Sequence, residues 1–169
     1  MPVKHYVLGF CFSEDGQYVT LLKKASDCPL PFLRNRLNGI GGNVEESDGP
    51  TGSHGYPVPS TVMAAMRREW REEVSTDDVA LTWRQVFHFI PHGGNVCVHV
   101  FTGLVHSGLH RLYANSDSQE PVKPISVVSV QASHDNHLAP NLKWMMNLAW
   151  DLRNTRRVTG VDFRDTGVI

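Results

Sequence analysis

Apolar positions recur at two different periods along the chain, and the changes of period mark out its elements. Residues 3–12 are rich in β-branched and aromatic side chains and broken by Gly9, and Ser13-Glu14-Asp15-Gly16 is a turn signal ahead of Tyr18-Val19-Thr20-Leu21-Leu22. The pattern predicts a β-hairpin. Lys23 and Lys24 close it and read as solvated charge at a strand end, with a phosphate contact as the alternative. Residues 25–37 hold two prolines and no period, which predicts a loop. Met63, Met66, Trp70 and Val74 then recur at spacings of three and four, the stripe of a helix that runs to about Ser75. Ser60 or Thr61 can cap it. Residues 79–90 and 95–105 are strand-like runs about His92-Gly93-Gly94 and predict a second hairpin. His88, His92 and His99 have no compact ligand spacing and read as sheet or turn residues, not as a zinc site. A further strand is expected over residues 125–130. Pro140 suits the first turn of a closing helix that directs Leu142, Met145, Met146 and Ala149 inward, and Trp144 and Trp150 read as packing.

Chemistry concentrates on the first helix. At about 100° per residue, Glu69, Glu72 and Glu73 fall within an arc of roughly 100°, centred about 110° from the apolar stripe. With the stripe inward, the three carboxylates line an exposed flank. Like charges at these spacings repel. Either Arg67, Arg68 and Arg71 neutralise a solvated acidic face, or a divalent cation with oxygen ligands removes the repulsion. Upstream, Asn38-Gly39-Ile40-Gly41-Gly42 is dense in residues that permit close backbone approach, so a carbonyl or amide there can reach a ligand. Residues 46–59 are rich in Gly, Pro, Ser and Asp and read as an excursion loop, with His54 and Tyr56 its side chains suited to recognition.

Gly42 and Arg68-Glu69-Trp70-Arg71-Glu72-Glu73 together resemble the box that marks the Nudix hydrolases. That box reads G, five residues, E, seven residues, then R-E-hydrophobic-x-E-E-x-G-hydrophobic. Three departures stand out. The box glutamate falls on Asp48, and the missing acid is supplied by Asp48, Glu45 or Glu46, or not at all. From Asp48 to Arg68 there are 19 residues instead of seven, and the final glycine is Ser75, which loses an easy helix cap. The resemblance implies an α/β/α sandwich around a mixed sheet, with residues 1–153 as one domain interrupted by the 46–59 insert and 154–169 as a charged tail.

It also implies hydrolysis of a nucleoside diphosphate linked to another group, with Mg²⁺ or Mn²⁺ as cofactor. Hard oxygen ligands suit those ions, and the implied set is Glu69, Glu72, Glu73 and the Gly41 carbonyl. Glu72 and Glu73 serve chiefly the metal, Glu69 the metal or the general base, and Arg68 orients a carboxylate through an ion pair. The Asn38–Gly42 run resembles that of the oxidised-purine triphosphate subgroup. There Asn38 would read the base beside Gly42, and Asn141 would stand where an acid reads it. Leu37 and Asn43 replace the Trp and Lys of that subgroup's run. Glu120, ahead of the late strand, is a secondary candidate for recognition. The expected activity is a (d)NTP pyrophosphohydrolase. An ADP-ribose, NADH or dinucleotide polyphosphate hydrolase is the alternative, and a nucleotide sensor without turnover is the rival of another class.

Composition narrows the partners. The 169 residues carry 41% hydrophobic and 20% charged positions with a formal net charge of −1, which suits one globular domain and offers no broad basic field for nucleic acid. No run is long enough to span a membrane and no signal-peptide layout is present, so a cytoplasmic enzyme or binding domain is expected. The resemblance implies a nucleotide as its partner, and a monomer or homodimer is expected. Cys11, Cys28 and Cys97 lie in no CxxC spacing and read as free thiols.

Overall fold

A computed structural model describes residues 3–52, 55–74, 82–91, 94–105, 122–155 and 158–161. Its centre is a seven-stranded mixed sheet in the order β3-β2-β1-β5-β4-β7, with β6 also paired to β2. The strands are β1 (Lys4–Ser13), β2 (Tyr18–Lys23), β3 (Leu37–Asn38), β4 (Thr82–Phe89), β5 (Val96–Val105), β6 (Val122–Ser126) and β7 (Thr159–Val161). Both expected hairpins form: β1 pairs antiparallel with β2, and β4 with β5. The central contact is between distant parts of the chain, because β1 and β5 run parallel from Lys4↔Val96 to Ser13↔Val105. β7 extends the sheet by pairing parallel with β4, within the segment read as a tail.

Alternation along β1 sends side chains into two cores. Leu8, Phe10 and Phe12 pack on one face against Leu142, Met145, Met146 and Ala149 of α3 (Leu142–Asp151). Val7 and Cys11 pack on the other against Val62, Ala65, Met66, Trp70 and Val74 of α1 (Pro59–Val74). The architecture is the α/β/α sandwich expected. Among the described residues no helix is long and apolar enough to cross a membrane.

Three local expectations are corrected. The late strand begins earlier and is shorter, because the chain turns into α2 (Val127–Ala132). β2 ends at Tyr18↔Ser126, so the ladder has no further partner, and only Val130 of α2 is fully buried while Val128 is 76% exposed. Pro140 does not open α3. Asn141 precedes the helix with φ +64°, a left-handed conformation asparagine tolerates, and its carbonyl accepts the Met145 amide. Ser60 and Thr61 lie inside α1, where the Thr61 hydroxyl donates to the Pro50 carbonyl and ties the insert to the helix.

Candidate active site

The expected stripe of α1 does turn inward, with Met66, Trp70 and Val74 buried and Met63 packed beside them, but the buried face is wider than expected and takes in carboxylates. Glu69 is only 8% exposed and belongs with Val62, Ala65, Met66 and Trp70. The Glu73 side chain is 14% exposed, and only Glu72, at 57%, stands on an open flank. Two local features admit the carboxylates. Gly42 lies against Glu69, where a Cβ would overlap the carboxylate. Glu73 is met by the Lys24 ammonium at 2.8 Å from Oε1 and by the Gly41 amide, which donates to Oε2 at 2.8 Å.

The glycine bend is held over the helix by β1. The Val7 amide donates to the Gly42 carbonyl, and the Gly9 and Ile40 main chains exchange hydrogen bonds. A Cβ at Gly41 would strike the Val7 carbonyl, so this approach requires glycine. The Gly41 carbonyl accepts the Tyr6 hydroxyl at 2.9 Å, which leaves it a second lone pair.

Arg68 gathers the acids. Its Nε and Nη2 donate to the two oxygens of Asp48 at 2.9 and 3.1 Å. Its Nη1 donates to Glu69 Oε1 at 2.9 Å and Glu72 Oε2 at 3.0 Å, and Nη2 also reaches the Asn43 carbonyl. Asp48 has a side chain only 4% exposed, whereas Glu45 is 58% exposed and 4.0 Å from Arg68. Of the acids available to replace the box glutamate, Asp48 is therefore the one that grips the arginine. Asp48 stands near the start of the 46–59 insert, so the insert itself supplies the acid that meets Arg68.

The electrostatics follow from burial. Burial pushes the Glu73 carboxyl up to about 7, against the pull of Lys24 and the Gly41 amide. Burial likewise raises Glu69, opposed by Arg68. For Asp48, burial is outweighed by the hydrogen bonds from Arg68 and the Glu45 amide, which hold it below the ordinary carboxylate range. Arg68 and Lys24 already offset the repulsion among the three glutamates, so that repulsion is not by itself evidence of a cation. The donor set is better evidence: three carboxylates and a main-chain carbonyl are hard oxygen ligands suited to Mg²⁺.

Glu69, Glu72, Glu73, Arg68, Gly41 and Gly42 thus come together on one patch. Lys24 is a correction, since it is 9% exposed and paired with Glu73, not a solvated strand end. Tyr6 was missed altogether, and no local pattern marks it. Asn38 is 4% exposed in β3. The bridge Leu37↔Leu138 runs the approach to α3 beside β3, so Asn38 and the exposed Asn141 flank one edge. Glu120, His54, His92 and Ser75 lie outside the described residues.

No family model and no curated protein matches the sequence. Solved structures do match the fold. An ADP-ribose pyrophosphatase from Streptococcus suis shares 13% identity over 95% of this chain and 98% of its own, with a TM-score of 0.62. A mutT/nudix family protein from Listeria innocua shares 17% identity over 89% and 94%, with a TM-score of 0.60. The NUDIX domain of Shewanella oneidensis NrtR, solved with ADP ribose, shares 14% over 87% and 86%, with a TM-score of 0.61. The chain has the Nudix fold. These likenesses extend to the fold and leave its subgroup open.

Proposed function

We propose that the chain is a Mg²⁺-dependent hydrolase of a nucleoside diphosphate linked to another group, and within that class a (d)NTP pyrophosphohydrolase. The observation that carries the reading is the meeting of Glu69 and Glu73, from one turn of α1, with the Gly41–Gly42 main chain, and of Glu72 at the open rim. Glu72, Glu73, Glu69 and the Gly41 carbonyl would hold the metal. When bound, the ion neutralises phosphate oxygens and lowers the pKa of water.

The chain's own residues do the rest. Arg68 fixes Glu69 and Glu72 in mutual register through one nitrogen and is itself anchored on Asp48. Glu69 completes the ligand set or takes the proton from the attacking water. Lys24 holds Glu73 against the glycine bend. Asn38, Asn141, Gly42 and Glu120 are the proposed substrate contacts, and the Asn38–Gly42 run favours a purine triphosphate over the ADP-ribose, NADH and dinucleotide alternatives.

The test is turnover of a panel of NTPs, ADP-ribose, NADH and dinucleotide polyphosphates with Mg²⁺, reading products by chromatography. NMP and pyrophosphate from an NTP are expected. Tight binding of nucleotide with no turnover of any of them would instead mark a sensor. Glu73→Gln should abolish hydrolysis while the far-UV circular dichroism is unchanged, and retained activity would remove Glu73 from its role.

A further inference from the structure

A second cluster of ligating side chains lies on the α1 face of the sheet, apart from the carboxylates. The parallel register sets His5 opposite Cys97 and Val7 opposite His99. Because alternate residues share a face, His5, Cys97 and His99 project together. One ligand atom from each lies within 4.8 Å of the other two. The His5 and His99 rings are stacked with centroids 5.3 Å apart, and His5 Nδ1 is 3.0 Å from His99 Nε2. His5 and Cys97 are buried.

The hydrogen bonding of this cluster does not close on itself. Gln85 Nε2 lies 3.0 Å from His99 Nδ1. An amide donating there leaves the proton of His99 on Nε2, which donates to His5 Nδ1. The His5 proton then sits on Nε2, a buried atom with no partner among the described residues. With the Gln85 amide turned the other way the protons reverse, and His5 Nε2 is still a buried nitrogen without a partner among the described residues, an arrangement that proteins rarely keep.

We propose that His5, Cys97 and His99 form a binding site for a borderline divalent transition metal, Zn²⁺ foremost. Zn–N distances of about 2.0–2.1 Å and Zn–S of about 2.3 Å place tetrahedral ligand atoms roughly 3.3–3.6 Å apart, so the observed separations need only small side-chain shifts. The thiolate and imidazole set selects Zn²⁺ over Mg²⁺, which belongs with the carboxylates. Cys97 gives up its thiol proton on binding, and the imidazoles bind as neutral ligands. A turn of the Gln85 amide exchanges its oxygen and nitrogen in place, so that Gln85 accepts from His99 Nδ1–H and steadies a metal-bound ring. Three protein ligands leave one coordination position for water or an added ligand. On the His5 side, a cavity of about 550 Å³ under the insert is lined by His5, Pro57 and Thr61, with Tyr56 set edge-on to the His5 ring at 5.1 Å.

Co²⁺ titration of the metal-stripped full chain tests this, since Co²⁺ reports a thiolate ligand through a near-ultraviolet charge-transfer band. One Co²⁺ per chain is expected to produce the band, Zn²⁺ to displace it, and excess Mg²⁺ to leave it. Cys97→Ser should remove the band and weaken binding at least about tenfold, while Glu72→Gln should leave both unchanged. Alkylation of the wild-type chain followed by peptide mass spectrometry needs no variant to fold: Zn²⁺ should slow modification of Cys97 at least about tenfold relative to Cys28. The proposal is overturned by no band at stoichiometric Co²⁺, by a band that survives Cys97→Ser or is lost in Glu72→Gln, or by Cys97 alkylation indifferent to Zn²⁺.

Discussion

Replacing Asp48 by alanine isolates the acid that anchors Arg68. Asp48 accepts two hydrogen bonds from the guanidinium, at 2.9 and 3.1 Å, and a third from the Glu45 amide at 2.8 Å, with a side chain only 4% exposed. Breaking a buried ion pair costs about 3–5 kcal/mol when the remaining charge is stranded. Here Arg68 keeps Glu69, Glu72 and the Asn43 carbonyl, so the cost falls at the low end, about 3 kcal/mol. For a chain of this size that lowers the melting temperature by roughly 6–12 °C. Glu45→Ala is the control. Its side chain is 58% exposed and 4.0 Å from Arg68, and it helps cap one short turn, so its loss should cost about 1 kcal/mol or less. Urea unfolding followed by circular dichroism measures both, provided the slope with denaturant is unchanged. If Asp48→Ala costs under about 1 kcal/mol, or Glu45→Ala costs as much as Asp48→Ala, the assignment of Asp48 as the arginine's anchor is wrong.

Three further outcomes are expected. Lys24→Met strands the largely buried Glu73 carboxylate with one remaining donor, the Gly41 amide, and should destabilise the fold by about 3 kcal/mol in thermal or urea unfolding; a neutral effect would return Lys24 to the solvent. Gly42→Ala puts a methyl group into the Glu69 carboxylate, so Mg²⁺-dependent turnover should fall about a hundredfold or more, since displacement of a catalytic group by about 1 Å is enough. Unchanged steady-state kinetics would show that Glu69 does not act from this position. Tyr6→Phe removes the donor to the Gly41 carbonyl and should cost about 1 kcal/mol in unfolding free energy.

What could be read in advance depended on how far apart in sequence the interacting residues lie. The hairpins and the two long helices are written in local periods and turn residues, and they appear where those signals stand. The box residues on α1 are also local, so their grouping was legible, but their exposure was not. A helical wheel places Glu69 on a flank. Only the tertiary partners, a glycine without a side chain and an arginine anchored 20 positions upstream, show why a carboxylate can sit in the apolar stripe. Lys24 was misjudged for the same reason: its partner Glu73 is 49 positions away. Residues 125–130 misled because valines suit a strand wherever a neighbour exists, and the neighbour ends at Tyr18.

The parallel pairing of β1 with β5 has the widest consequences. It joins segments about ninety residues apart with no turn signal between them, and so it is invisible to spacing rules. Histidines counted along β4 and β5 alone look dispersed, because the residues that complete their cluster are His5, on another strand, and Cys97, which had been set aside as a free thiol. The same strand that brings Val7 to the Gly42 carbonyl carries His5 to the second cluster two residues earlier, about 7 Å along the chain. A cation bound by His5, Cys97 and His99 would therefore brace the start of β1, and with it the main chain on which the glycine bend hangs. Measured Mg²⁺-dependent turnover should then be steadier to heating with Zn²⁺ bound than without it, and Cys97→Ser should erase that difference without changing the rate at low temperature.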